Sequence, residues 1–363
     1  MTPARTTPDI VRRRLASQRL VGRALKRPQQ VAEWLGAVQA QDYAAAKWAL
    51  GQRLQRATDD DIERAFNKGE ILRTHLLRPT WHFVSPSDIR WLLMLTAPRV
   101  HVANASMYRK LGIDSALVRR SNSALANALE GGRQLTRDEL RGALEKAGVA
   151  TKGELRMGYI MMYAELDGLV CSGPRRGKQF TYALLDDRVP PTRALERNES
   201  LAELSRRYFT SRGPATVHDF AKWAGLTITE SRKGLEAVQD RLVREVMDGK
   251  EYWYAPFKAA VPDDASATAH LLSIYDEYVS GYKDRSAIVS AKNGARLVAM
   301  GNALTGILVV SGQILGVWKR TFVDDAVVVR LQSFARLRKA ETSAVNAALE
   351  RYGGFLGSKV VRA

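Results

Sequence analysis

A chain of 363 residues is longer than one hydrophobic core usually serves, so several units are expected, and a 45% hydrophobic fraction can give each a core. The 56 Lys and Arg against 38 Asp and Glu leave a formal charge of +18, which points to a polyanionic partner such as nucleic acid. The single cysteine, Cys171, excludes an internal disulfide framework, and the sequence offers neither zinc-ligand spacing nor a long apolar run, so a cytoplasmic protein without metal, cofactor or membrane partner is expected.

The first 56 residues hold eleven basic and three acidic side chains, so the positive excess is concentrated there. Apolar periodicity predicts helices over residues 10–25, 28–38 and 59–67, then strands over 71–77 and 80–84 around Arg78-Pro79. Ser85-Pro86-Ser87-Asp88 opens another helix, whose Trp91, Leu92, Leu95 and Val102 are placed to pack on this first unit.

Residues 136–148 begin with a capping Thr136, followed three positions on by Glu139, and carry Leu140 and Leu144 on one helical face. A second helix is predicted over 153–167, with Leu155, Tyr159, Ile160, Met162, Tyr163 and Leu166 close to one stripe. The period then changes to that of strands at 169–171 and 179–183, which flank the basic tip Gly173-Pro174-Arg175-Arg176-Gly177-Lys178. Helix, helix and basic hairpin is the order of a winged helix.

That order returns downstream. Helices are predicted over 214–223 and 227–239, followed by strands at 242–247 and 251–254 around Asp248-Gly249-Lys250. The repeat spans about 75–80 residues, and Arg119-Arg120 and Arg206-Arg207 fall on the helices that introduce its two copies. The N-terminal third reads as a more divergent third copy. Strand-like segments at 307–310, 314–318 and 326–331, a turn at Ser311-Gly312-Gln313 and a closing helix over 341–351 suggest a β-rich, barrel-like tail. The expected fold is therefore α+β: winged-helix modules over 1–112, 113–190 and 191–262, then a small β-barrel-like domain over 263–363.

The chemistry is best sought at Gln39-Ala40-Gln41. A pair of neutral amides in a basic setting suits a reaction on nucleic acid that needs a positioned water more than a strong acid. The plain alternative is a solvated helix face. Residues two apart on an α-helix point about 200° from one another, whereas extended backbone puts them on one face, so both amides can serve one substrate only if the helix ends before them. Asp42 is a candidate neighbouring base. His75 and His82 fall on opposite faces of an uninterrupted strand, so packed or hydrogen-bonded histidines are expected rather than a shared metal, and Trp81 and Phe83 read as core. Candidate DNA contacts are Arg78, the hairpin residues Arg175, Arg176 and Lys178, and Lys152, Arg156, Arg232 and Lys233 early on the second helices, where helix N-termini and cations together attract phosphate.

Ala37-Val38-Gln39-Ala40-Gln41-Asp42, the run from Leu72 to Val84, and Asp276-Glu277-Tyr278 with Gly281-Tyr282-Lys283-Asp284-Arg285-Ser286 resemble the AlkZ/YcaQ family of winged-helix DNA glycosylases over almost the whole chain. The resemblance implies three winged-helix modules and a C-terminal β-barrel around a concave DNA channel. It also implies removal of alkylated bases, including those in interstrand crosslinks, from double-stranded DNA. Gln39-Ala40-Gln41 looks like the AlkZ form of the active-site motif, which makes Gln39 and Gln41 the expected catalytic residues. The expected enzyme is a monomeric, monofunctional DNA glycosylase acting on bulky or N7-alkylated purines. Asp276, Tyr278, Tyr282 and Arg285 are explained as well by an Asp–Arg ion pair with packed tyrosines as by a site role. The rival reading is a non-catalytic DNA-binding protein, a regulator or resistance factor built on the same modules.

Overall fold

The computed structural model describes residues 7–153, 155–256, 267–324 and 326–363. The first unit runs α1 (Thr7–Ser17), α2 (Pro28–Leu35), β1 (Val38–Gln39), α3 (Tyr43–Gly51), α4 (Asp59–Lys68), β2 (Leu72–Leu76) and β3 (Arg78–Val84). Its three strands pair antiparallel in the order β1-β3-β2. α4 begins where Thr58 and Asp61 exchange side-chain and backbone hydrogen bonds, and it ends at the left-handed Gly69. The sequence pattern does not reveal α3. Ala46, Lys47, Trp48, Ala49 and Leu50 are buried in succession, so the helix is covered nearly all round and shows no amphipathic stripe.

The next helices are α5 (Ile89–Lys110) and α6 (Ser115–Leu129). They lead to β4 (Leu135–Thr136), α7 (Arg137–Lys146), α8 (Arg156–Leu166), β5 (Val170–Ser172) and β6 (Thr181–Leu184), followed by the short α9 (Leu185–Arg188). Thr136 and Glu139 form the reciprocal cap that the sequence predicts for α7. β4 adds a third strand, giving the order β4-β6-β5. The arrangement recurs in α10 (Arg197–Arg212), α11 (Val217–Ala224), α12 (Ile228–Glu236) and the hairpin of β7 (Val243–Met247) and β8 (Lys250–Tyr254). Both α11 and α12 open with reciprocal caps, Thr216 with Asp219 and Thr227 with Glu230.

The expected boundary at 262/263 lies outside the described residues. Beyond it come β9 (Ala269–Ser273), α13 (Glu277–Ser280), α14 (Ala291–Met300), β10 (Gly306–Val310), β11 (Gln313–Val323), β12 (Ala326–Ser333), α15 (Lys339–Leu356) and β13 (Lys359–Arg362). The barrel-like expectation needs correction: among the described residues these strands form one open sheet in the order β13-β12-β11-β10-β9. α15 packs on β9, β10 and β13, so a helix covers the sheet instead of the sheet closing on itself.

The cores cross between units. Trp48, Phe66 and Phe83 of the first unit share a cluster with Leu271, Trp318 and Tyr352 of the tail. Leu72, Leu76 and Val84 share another with Trp91, Tyr208, Phe209 and Trp223. α6, α7 and α8 bury Leu125, Leu140, Leu144, Met157 and Ile160 largely among themselves. The first sheet is therefore clamped from both sides, which gives it a rigid frame on which to hold a site.

Candidate active site

The glutamine triplet lies just past a helix end. α2 stops at Leu35, and Gly36 follows with φ 73°, a left-handed conformation that a side chain would strain. The chain then enters β1, where Gln39 faces His82 in register and the Ala40 N–H donates to the Trp81 carbonyl at 2.7 Å. β1 ends at Gln39 and Gln41 lies at a bend before α3, so the helix ends ahead of both amides, as the spacing of the triplet requires. Asp42 acts locally as a helix cap, its carboxylate accepting the Ala45 N–H at 3.0 Å at the start of α3.

Both amides are held by their carbonyl oxygens. Arg78 Nη2 donates to Gln39 Oε1 at 3.3 Å, and the Trp81 backbone N–H lies 3.4 Å from Gln41 Oε1. Gln39 is half-buried and Gln41 exposed, so the pair sits where the core meets solvent. Beneath it, the Gln39 N–H donates to Glu277 Oε1 at 3.0 Å. Glu277 is fully buried, and its Oε2 accepts from Arg212 Nη2 at 2.6 Å and Trp223 Nε1 at 2.8 Å. Arg212 in turn donates to the Leu35 carbonyl at 2.7 Å and the Ala37 carbonyl at 3.1 Å, the peptides that lead into the triplet. Burial would push the Glu277 carboxyl up, but Arg212, the Gln39 N–H and Arg78 outweigh it and hold the group below its ordinary value. The site therefore rests on a buried, ionised carboxylate.

His82 is the neutral counterpart. Burial, reinforced by the Arg78 charge, brings its pKa down to about 3. Its Nδ1–H donates to the Thr80 carbonyl at 2.9 Å, leaving Nε2 as an acceptor 3.4 Å from Arg78 Nη2. His75 faces the other way. It pairs with the buried Glu165 of α8 and packs against the Trp81 ring at 4.4 Å, so the two histidines serve different clusters. Arg73 lies 4.2 Å over the same indole and donates Nε to the Ala40 carbonyl at 3.0 Å. Among the described residues no group of three His, Cys, Asp or Glu side chains is placed to hold a metal.

The profile of a family described as DNA glycosylase AlkZ-like matches residues 32–355. The chain belongs to the AlkZ-like family of DNA glycosylases. A Streptomyces sahachiroi protein named interstrand DNA cross-link repair glycosylase is 26% identical over 307 residues, covering 80% of this chain and 81% of that relative. The solved structure of the Streptomyces sahachiroi DNA glycosylase AlkZ matches with a TM-score of 0.80 at 21% identity, over 99% of this chain and all of that one. This last likeness concerns the fold. Membership in the family makes the protein an enzyme acting on DNA, and the non-catalytic alternative gives way.

On this AlkZ-like frame the expected DNA contacts divide into committed and open cations. Arg78 is engaged by Trp223, Gln39 and His82, so its guanidinium is turned inward. Arg156 donates to the carbonyls of Ala150, Leu111 and Gly112. Arg175 folds back over Tyr43 and Phe180 and donates to the Lys178 carbonyl, while Arg176 pairs with Glu139 at 2.8 Å. Lys152, Lys178, Arg232 and Lys233 are exposed. The buried ion pair expected in the tail exists, but Asp276 pairs with Arg53, through two contacts of 2.8 and 2.9 Å, rather than with Arg285. Tyr278 and Tyr282 are fully buried. The anchoring roles of Glu277, Arg212 and Trp223 do not show in the sequence, although Glu277 stands inside one of the runs that carry the resemblance. Among the described residues no helix is long and apolar enough to cross a membrane.

Proposed function

We propose that the protein is a monofunctional glycosylase that hydrolyses the N-glycosidic bond of bulky or N7-alkylated purines in double-stranded DNA, those joined in interstrand crosslinks included, with Gln39 and Gln41 as its catalytic residues. The observation that carries this reading is the pair of amides set just past the helix end where the core meets solvent, each with a donor at its carbonyl oxygen. Each oxygen keeps a second lone pair with which to hold a water.

Alkylation at N7 places a positive charge on the purine. The bond from C1′ to N9 can then break with its electron pair going to a base that leaves neutral, and no enzyme acid is needed. Positive charge builds on the sugar, where the amide dipoles stabilise it and direct the water to C1′. The water's proton goes to solvent. A neutral His82 and a Glu277 already tied to Arg212 and Trp223 fit a site that works by orientation instead of acid–base exchange.

We read the helix–helix–hairpin units as three winged-helix modules with the expected divisions, and the protein as a cytoplasmic monomer. Lys152, Arg176, Lys178, Arg232 and Lys233 are read as the exposed cations that meet DNA phosphates, with Arg156 and Arg175, which backbone carbonyls hold, adding positive charge to the same surface. The relative named for interstrand cross-link repair extends the substrate class from single adducts to crosslinked duplex. A crosslinked base cannot swing freely into a closed pocket, and a half-exposed amide pair suits a base attacked in place.

The test is a synthetic duplex with a single N7-methylguanine, incubated with enzyme and then treated with alkali to cut at abasic sites. Strand scission at the lesion is expected, and a duplex with a purine crosslink should be unhooked. Release no greater than that of the Gln39→Ala, Gln41→Ala double variant, across several N7 adducts, would sink the assignment.

A further inference from the structure

We propose that Arg78 is a positioning residue for base release, which fixes the Gln39 amide from inside the fold and does not bind a DNA phosphate. This rests on the reading of Gln39 as a catalytic residue. Arg78 opens β3, four residues before the His82 that faces Gln39, and its guanidinium meets three acceptors: the Trp223 carbonyl, Gln39 Oε1 at 3.3 Å and His82 Nε2 at 3.4 Å. These come from three elements, α11, β1 and β3. A planar fork of five donors can span them together, whereas an ammonium group is a point charge on a flexible stem.

The consequence concerns which of the two amide atoms of Gln39 meets Arg78. A free glutamine side chain can turn over, exchanging its oxygen and nitrogen. Arg78 carries donors alone, so an inverted Gln39 would set NH₂ against N–H, donor against donor. The guanidinium therefore selects the orientation in which Oε1, and not the NH₂ group, is the atom shared between Arg78 and a water. One lone pair of that oxygen is taken by Arg78 and the other remains for water. His82 supports the same choice, because its neutral ring offers Arg78 an acceptor at Nε2.

A cation beside a centre that develops positive charge would oppose catalysis if it stood alone. Here burial and the Arg212 charge weaken Arg78 as a cation, while the Glu277 carboxylate, 3.0 Å from the Gln39 backbone nitrogen, balances part of the positive charge of the two arginines. Glu277 fixes the backbone of Gln39, and Arg78 fixes its side chain. The arrangement also explains why an arginine in a strongly basic chain is turned inward.

The experiment is a double-mutant cycle on N7-methylguanine duplex, measured as single-turnover base release with enzyme in excess and as binding across a salt series. Arg78→Met is expected to slow release about 10- to 100-fold, with affinity and salt slope close to wild type. In the Gln39→Ala background the same change is expected to have no further effect on the rate. Arg78→Lys, which keeps the charge but not the fork, is expected to show the same coupling, and it replaces Arg78→Met if that variant does not fold. Rate losses that multiply in the double variant overturn the proposal, as does a salt slope reduced by about one, the signature of a lost phosphate contact. A wild-type rate for Gln39→Ala alone overturns the catalytic reading of the triplet and this proposal with it, whereas a slow Gln39→Ala with an independent Arg78 overturns this proposal only.

Discussion

Glu277 accepts the backbone N–H of Gln39 at 3.0 Å across 238 residues of sequence. That bond joins β1 of the first unit to α13 of the tail, and the same carboxylate reaches Arg212 at the end of α10 and Trp223 in α11. The site strand is thus held by three distant parts of the chain. Removing Glu277 would leave the Arg212 guanidinium buried and without its carboxylate partner, at a cost of about 3–5 kcal/mol. Glu277→Ala should therefore lower the denaturant midpoint strongly with little change in the slope of the transition. A midpoint equal to wild type would refute the anchoring role.

The same carboxylate gives stability a pH dependence. Its folded pKa lies below the unfolded value of about 4.3, so its contribution is present above that value and is lost as pH falls through the lower, folded pKa. Glu277→Gln should remove this acid-side loss and leave a lower stability at neutral pH.

His82 and His270 act at higher pH but with the same sign. Both are buried and brought down to about 3, so the unfolded chain takes up protons near pH 6.5 that the folded protein refuses. Stability should fall steadily as pH drops from about 6.5 toward 4. His270 offers the cleaner probe because it lies in the tail, away from the glutamines. Urea midpoints at several pH values should show a shallower decline for His270→Gln than for wild type, and parallel curves would contradict the buried neutral state.

Much of this fold was visible in local chemistry. Thr136 with Glu139 and the breaks at Gly168 and Gly225 mark helix ends by short-range rules, and the change of period after Gly168 marks a hairpin. What failed to show was non-local. α3 is apolar on too many sides to display a stripe, and the open order of the tail sheet depends on α15 arriving from later in the chain. The two glutamines were legible as a candidate site, and so was the geometric demand that their helix end early. Arg78 looked like a surface cation because nothing near it in sequence reveals the Trp223 carbonyl that turns it inward. Asp276 was assigned an arginine in its own segment, while the fold supplies Arg53 from the first unit.

Exposed cations should govern affinity and leave chemistry alone. Lys178, Arg232 and Lys233 stand open to solvent. If each meets one phosphate, its replacement by Ala should weaken binding to any duplex and reduce the salt slope by about 0.9. Arg176→Ala should change the slope less, because Glu139 already neutralises that side chain. Release rates at saturating enzyme should be unaffected. A slope unchanged in the Lys178, Arg232, Lys233 triple variant would move the DNA surface elsewhere.

The glutamines themselves provide the sharpest test, because their supports differ. Gln39 is held by a side chain and Gln41 by the Trp81 backbone, so each can be removed without disturbing the other's anchor. By comparison with the loss of one preorganised polar group in other enzymes, each single change to Ala should slow release by about 10²–10³-fold. If the two amides hold one water, the second removal acts on a site already broken, and the double variant should be little slower than the slower single. Losses that multiply would mean that the amides act on separate features of the transition state, one on the water and one on the sugar. Gln41 is the exposed member, so its variant should fold with wild-type stability, and its rate loss can be read as chemistry without correction for unfolded enzyme.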